Sequence, residues 1–223
     1  MNLNKSYEFF QPEKAKSRIH IIGCGSVGST VAELLTRYGC QNITLYDFDF
    51  VESHNLVNQM FTADQVGKPK VEAVRELMAR INPDIMQTVK IVPEGYQGQR
   101  LAGYVFLCVD NIDLRREIVQ KNQYNGLIDS MYDFRTRLTD AQHYAANWHE
   151  PSQVKSFLNS MQFSHEEASE ATPMSACHVS LAVPTTVRMV CELGVNNFVN
   201  HVKGNPLKKM ILVDSFQFEL TAF

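Results

Sequence analysis

The chain has no run near the roughly 20 consecutive apolar residues that a membrane-spanning helix requires. Its opening residues lack both a long apolar core and a small-residue cleavage site, so a cytoplasmic protein without membrane contact is expected. It also lacks a charge excess. Against 21 Lys and Arg stand 24 Asp and Glu, a net of −3, which leaves no broad basic field and excludes nucleic acid as an expected partner. Cysteine is sparse and scattered: Cys24, Cys40, Cys108, Cys177 and Cys191 are odd in number and include no C-x-x-C pair, which argues against a disulfide framework and a structural zinc site. No internal repeat or low-complexity tract breaks the chain. What remains is 223 residues, enough for one large α/β domain spanning 1–223 with a well-buried core.

What the sequence does contain is concentrated near its start. The apolar residues Ile19, Ile21 and Ile22 read as a buried parallel strand, followed by Gly23, Gly25 and Gly28 in G-x-G-x-x-G spacing as the chain turns into a helix. Each glycine has a different reason: Gly23 for the tight turn, Gly25 for close approach of backbone to a phosphate, Gly28 for close packing of helix and strand. The free amides and positive dipole end of that helix favour anionic oxygens. A second strand, 43–46, ends at Asp47, at about the distance where a Rossmann unit places its ribose-binding acid.

Further along, a helix over 26–38 carries Val27, Val31, Leu34 and Leu35 on one face and stops at Gly39. A polar loop over 51–59 precedes a helix capped at Thr62 or Asp64, whose Val66, Val71, Val74, Leu77, Met78 and Ile81 recur at helical spacing. A third strand is expected over 85–92, and a buried strand over 104–109 that ends at Asp110, outside the carboxyl end of the sheet, with a helix from near Ile112. There Asp110 is also a natural cap for that helix. A short strand over 126–130, hairpin material over 134–144, a helix over 182–202 and one or two closing strands over 210–223 follow. The stretch 151–176 changes character. A short helix fits 151–161, but the small, acidic residues after it predict a mobile crossover loop. The pattern gives a Rossmann-like, mainly parallel sheet flanked by helices, with antiparallel C-terminal strands.

Taken together, Gly23-Cys24-Gly25-Ser26-Val27-Gly28, the segment from Tyr46 to Leu56, Val66-Gly67-Lys68-Pro69-Lys70 and Val109-Asp110-Asn111 resemble the ThiF/MoeB/ubiquitin-activating-enzyme superfamily. The resemblance runs over roughly 17–130, with weaker agreement over 178–202. It implies an ATP-dependent adenylyltransferase that activates a carboxylate, such as the C-terminus of a ubiquitin-like protein or peptide. By that resemblance Asp47 and Asp49 hold the ribose, Asn55 and Gln59 lie beside the phosphates, Lys70 binds the triphosphate and Asp110 holds Mg2+. A homodimer of compact type is implied as well.

One position departs from the family pattern. Where Asn-Leu-x-Arg-Gln is expected, the chain reads Asn55-Leu56-Val57-Asn58-Gln59. An arginine in such a role is worth roughly 10³ to 10⁵ in rate in other phosphoryl-transfer enzymes. Three readings stay open: Lys68, Arg75 or Lys5 of a second subunit substitutes, the reaction is slow, or the protein is a catalytically silent nucleotide-binding or regulatory subunit. A NAD-dependent oxidoreductase would share the glycine turn and Asp47, but has no need of the Gly-Lys-Pro-Lys segment or of Asp110. Cys177, beside His178 and after the crossover stretch, is the candidate for a thioester-forming cysteine. Adjacency in sequence does not establish a Cys–His contact, and an inert thiol is the plainer reading. Cys24 and Cys191 read as packing residues.

Overall fold

The computed structural model describes residues 1–170 and 181–223. Among them β1 (Ile19–Ile22), β2 (Ile43–Tyr46), β3 (Lys90–Val92), β4 (Gly103–Leu107), β5 (Ile128–Arg137), β6 (Asp140–Asn147), β7 (Met210–Asp214) and β8 (Glu219–Ala222) form a single sheet. Its order is β3-β2-β1-β4-β5-β6-β7-β8. The first five strands run parallel, whereas β6, β7 and β8 follow β5 as antiparallel neighbours. This is the expected α/β architecture.

β1, β2 and β4 are buried at every position, so helices must cover both faces. The helices are α1 (Ser26–Arg37), α2 (Lys70–Ile81), α3 (Ile85–Thr88), α4 (Ile112–Asn122), α5 (Pro151–Asn159), α6 (His165–Glu170) and α7 (Pro184–Val202). Alternate strand residues point to opposite faces. Ile19, Ile21, Leu45 and Phe106 join Val31, Leu35, Val74 and Phe198 from α1, α2 and α7 in one core. On the other face Ile22, Val105 and Leu107 meet Ile118 and Val119 of α4 and Phe157 of α5. Phe106 stacks on Tyr132 at 4.6 Å between ring centroids and meets Phe198 edge-on at 5.5 Å, tying the sheet to α7.

Several element boundaries differ from the sequence reading. The helix expected from Thr62 or Asp64 begins only at Lys70. Thr62 instead caps a 3-10 turn, Ala63–Gln65, and Gly67 at φ 90° followed by Pro69 at the N-cap separates that turn from α2. Val66 is therefore exposed rather than part of the helical face. The strand expected over 85–92 is split into α3 and β3, because Ile85 and Val89 are the buried positions, one helical turn apart. The strand expected over 126–130 runs on through Arg137 and turns into β6. The cap of α4 is Asn111, not Asp110: the Asn111 side chain accepts from the Leu114 amide at 3.0 Å. The short helix that fits 151–161 is α5, whereas the acidic residues after it, expected as a crossover loop, form α6 up to residue 170. Residues 171–176 lie outside the described residues, as do Cys177 and His178.

Candidate active site

The strand order reverses between β1 and β4, since β2 and β3 lie on one side of β1 and β5 on the other side of β4. Ligands of open α/β sheets bind outside the carboxyl ends of strands at such a switch point. Here the glycine turn leaves β1, Asp47 leaves β2 and Asp110 leaves β4. Three separate sequence signals therefore meet at one edge of the sheet.

The glycines behave as three different parts. Gly23 has φ 96°, and a Cβ there would lie 2.7 Å from the backbone of Cys108 and Val109. A Cβ on Gly28 would lie 1.9 Å from the Gly23 carbonyl oxygen. Gly25 is the opposite case, since a Cβ there would meet nothing within 4 Å among the described residues. The open space lies at the start of α1, which no side chain among the described residues caps, so none of these takes its first-turn amides. An uncapped helix start with a bare glycine facing open space fits a phosphate.

Asp47 closes one side of this turn. Its Oδ2 accepts from the Cys24 amide at 2.6 Å and its Oδ1 from the Asp49 amide at 2.8 Å. Burial raises its carboxyl above the ordinary range, and the two amides and the Lys70 charge oppose that shift. Asp49 is engaged differently. The segment 67–70 runs against Val51, with Gly67 donating to the Val51 carbonyl and the Val51 amide to Lys68, each at 2.8 Å. That pairing seats Lys70 beside Asp49: the Lys70 amide donates to the Asp49 carbonyl at 2.9 Å, and Nζ pairs with Asp49 Oδ2 at 2.8 Å. Lys70 is buried, not on a solvated helix face, and its charge is already matched by a half-exposed carboxylate.

Asn55 is buried and its Oδ1 accepts from the Glu52 amide at 2.9 Å, which shapes the polar loop. Gln59 follows with a buried Oε1 that has no hydrogen-bond partner among the described residues. Asp110 is exposed at the mouth of the β4 turn. Of the cations considered as stand-ins for the arginine absent at position 58, Lys68 is taken by Glu76, at 3.0 and 2.9 Å to its two oxygens. Arg75 has its Nε buried and unpartnered. Lys5 lies exposed in the N-terminal segment. No cluster of three or more His, Cys, Asp or Glu able to hold a metal exists among the described residues. A lone carboxylate suits Mg2+, which keeps its waters and binds through one or two carboxylates together with substrate phosphates. Cys24 and Cys108, under the turn, are buried, and burial pushes both thiols up, so they pack and do not attack.

Two features were not visible in the sequence reading. Asp133 of β5 is fully buried between Arg115 of α4, at 2.7 Å, and Arg135, also at 2.7 Å. Burial alone would raise the Asp133 carboxyl, but the two guanidinium groups hold it below its usual value. Arg115 also donates through Nε to the Val109 carbonyl at 2.6 Å, and so pins the residue before Asp110. The second is Arg188 of α7, whose guanidinium donates to Met60 Sδ at 3.1 Å. A lone arginine four residues after a helix cap was the only trace of the first; the second left no local signal.

Ubiquitin-like modifier-activating enzyme 5 of Drosophila mojavensis is 37% identical over 143 residues, covering 57% of this chain. The corresponding enzyme of Culex quinquefasciatus is 34% identical over 134 residues, covering 53% of it. The chain spans about a third of the length of these curated relatives, 35% and 33% respectively. Among solved structures, E. coli MccB with ATP matches over 95% of this chain and 65% of its own, with a TM-score of 0.68 and 18% identity. PaaA matches over 99% and 68%, with a TM-score of 0.71 and 15% identity. These likenesses show the fold. The ThiF family model matches residues 3–221, and the chain belongs to the ThiF family.

Proposed function

We propose that the chain adenylates a carboxylate with ATP, the carboxylate being the C-terminus of a small protein or peptide. The observation that carries this reading is the convergence of the uncapped glycine turn after β1, Asp47 after β2 and Asp110 after β4 at the switch point of the sheet. The relatives are named for activating ubiquitin-like modifiers, and MccB has been crystallised with ATP and with the peptide MccA.

In this reading the amides at the start of α1 receive the phosphates, and Asp47, held by the Cys24 amide, binds the ribose. Asn55 and Gln59 line the phosphate side, with the unpaired Gln59 Oε1 available to a donor. A carboxylate oxygen attacks the α-phosphorus and pyrophosphate leaves. Lys70, poised on Asp49, exchanges that carboxylate for phosphate oxygens as charge develops. Asp110 would hold Mg2+, which supplies charge neutralisation across the phosphates. No side-chain nucleophile is needed for this step. The homodimer and a thioester at Cys177 are extensions of the same proposal, tested by light scattering and by trapping with a labelled carboxylate partner.

Calorimetric titration of the purified chain with Mg-ATP and, separately, NADH tests the reading. Binding of Mg-ATP that weakens at least about tenfold in Asp110→Ala, with none for NADH, is expected. Binding of NADH in its place would return the oxidoreductase reading. Asn58 favours one second reading, a silent subunit that binds nucleotide without turnover, and Mg-ATP binding without pyrophosphate release in the presence of the carboxylate partner would select it.

A further inference from the structure

The site lacks the positive charge that the family pattern puts at position 58, and neither Lys68, held by Glu76, nor Lys70, held by Asp49, is uncommitted. Arg188 comes from the other end of the chain. It lies in the first turns of α7, one turn before Cys191, whose Sγ lies 3.7 Å from the Val27 carbonyl in the first turn of α1. Its guanidinium rests on Met60 Sδ at 3.1 Å, and the Met60 amide donates to Ser29 Oγ of α1 at 3.2 Å. Two independent contacts therefore hold α7 and the loop after Asn58 against the same helix start. Met60 is two residues from Asn58 and adjacent to Gln59.

A thioether is a weak acceptor, so the guanidinium has been brought to this place without being neutralised there. Among the described residues Arg188 makes no ion pair, unlike Arg37, Arg80, Arg115, Arg116, Arg135 and Arg137. It is exposed and free to swing about its side-chain torsions, and its planar fork suits two oxygens of one phosphate. We propose that Arg188 of α7 is the cation that contacts the β- and γ-phosphates of bound ATP, replacing the arginine absent at position 58. The inference rests on the nucleotide reading above and adds a residue to it. It also explains why Asn58 is tolerated in a chain that keeps Lys70 and Asp110.

The test is titration of Mg-ATP and of AMP against the unsubstituted chain, Arg188→Ala, and Arg188→Ala with Asn58→Arg, each checked by thermal unfolding. Because Arg188 is exposed, the melting temperature is expected to stay unchanged. Arg188→Ala should weaken Mg-ATP about tenfold or more and leave AMP within about twofold, as loss of a charge-assisted contact to the outer phosphates requires. Asn58→Arg in that background should restore the ratio. A ratio that Arg188→Ala leaves unchanged, or affinities for both nucleotides that fall together, overturns the assignment and leaves the nucleotide site standing. An unsubstituted chain that binds no Mg-ATP overturns the nucleotide reading itself, and this assignment with it.

Discussion

The three glycines of the turn separate steric from functional constraint at single-residue resolution. A methyl on Gly28 would be driven into the Gly23 carbonyl, and both atoms belong to backbone that cannot yield without opening the turn. Gly28→Ala is therefore expected to cost about 3 kcal/mol of stability, the upper end of overpacking effects. Gly25→Ala has room, since a Cβ there would meet nothing within 4 Å among the described residues, and should change stability by no more than about 1 kcal/mol. Yet the added methyl occupies the space where a phosphate would approach. Denaturant unfolding and Mg-ATP titration of both variants separate the two roles; a Gly25→Ala variant that binds Mg-ATP like the unsubstituted chain would remove the phosphate from this turn. At this scale the sequence was informative for where the glycines and Asp47 lie, because those positions are set by spacing along a few neighbouring residues. It was uninformative for Lys70, because its partner Asp49 lies 21 residues away and the pairing depends on how 67–70 runs against Val51.

Elements show the same division. α1 and α7 follow their apolar periodicity, and their ends fall within two residues of the sequence reading. α2 does not, since Gly67 and Pro69 interrupt a hydrophobic pattern that reads as continuous through Val66. α4 is attached to β5 by Arg115 and Asp133, a pair buried on both sides. Arg115→Met takes one of the two guanidinium partners from Asp133 and leaves Arg135, so the variant is expected to destabilise by about 1.5 to 3 kcal/mol, the loss of a charge-assisted buried hydrogen bond. The same side chain holds the Val109 carbonyl, so the loss should extend to the Asp110 turn. Denaturant unfolding measures the first effect. Mg-ATP affinity of the fraction that remains folded measures the second. A stable variant with unchanged affinity would show that the network neither holds the fold nor positions the turn.

For the whole molecule, pH exposes how much is buried in a charge-sensitive way. His20, against Tyr46, and His143, between Asp133 and Asn197, are both held neutral by burial, with pKa values lowered to about 4. In the unfolded chain each would titrate near 6.5. The stability they contribute is complete above 6.5 and is lost as pH falls toward 4, because the unfolded state alone takes up the proton. Each histidine adds a slope of at most about 1.4 kcal/mol per pH unit in that window. Asp133, held below its ordinary value, adds its own loss at lower pH, as the solution passes through its folded-state pKa. Denaturant unfolding from pH 7.5 to 4 should show the decline, and His20→Gln should shallow it by about one proton; an unchanged slope would contradict the burial argument. None of this could be read from the chain, where His20 looks like one residue in an apolar strand. The sequence by itself determined the α/β class, the glycine turn and the acids at strand ends, because strand alternation, helical period and tight-turn sterics are local. Only the tertiary structure decided that Asp49 takes Lys70, that Arg115 and Arg135 share Asp133, and that Arg188 of the last helix reaches Met60. Those pairings join residues 2 to 128 positions apart, and the longer ones exist only once the sheet has set its strand order.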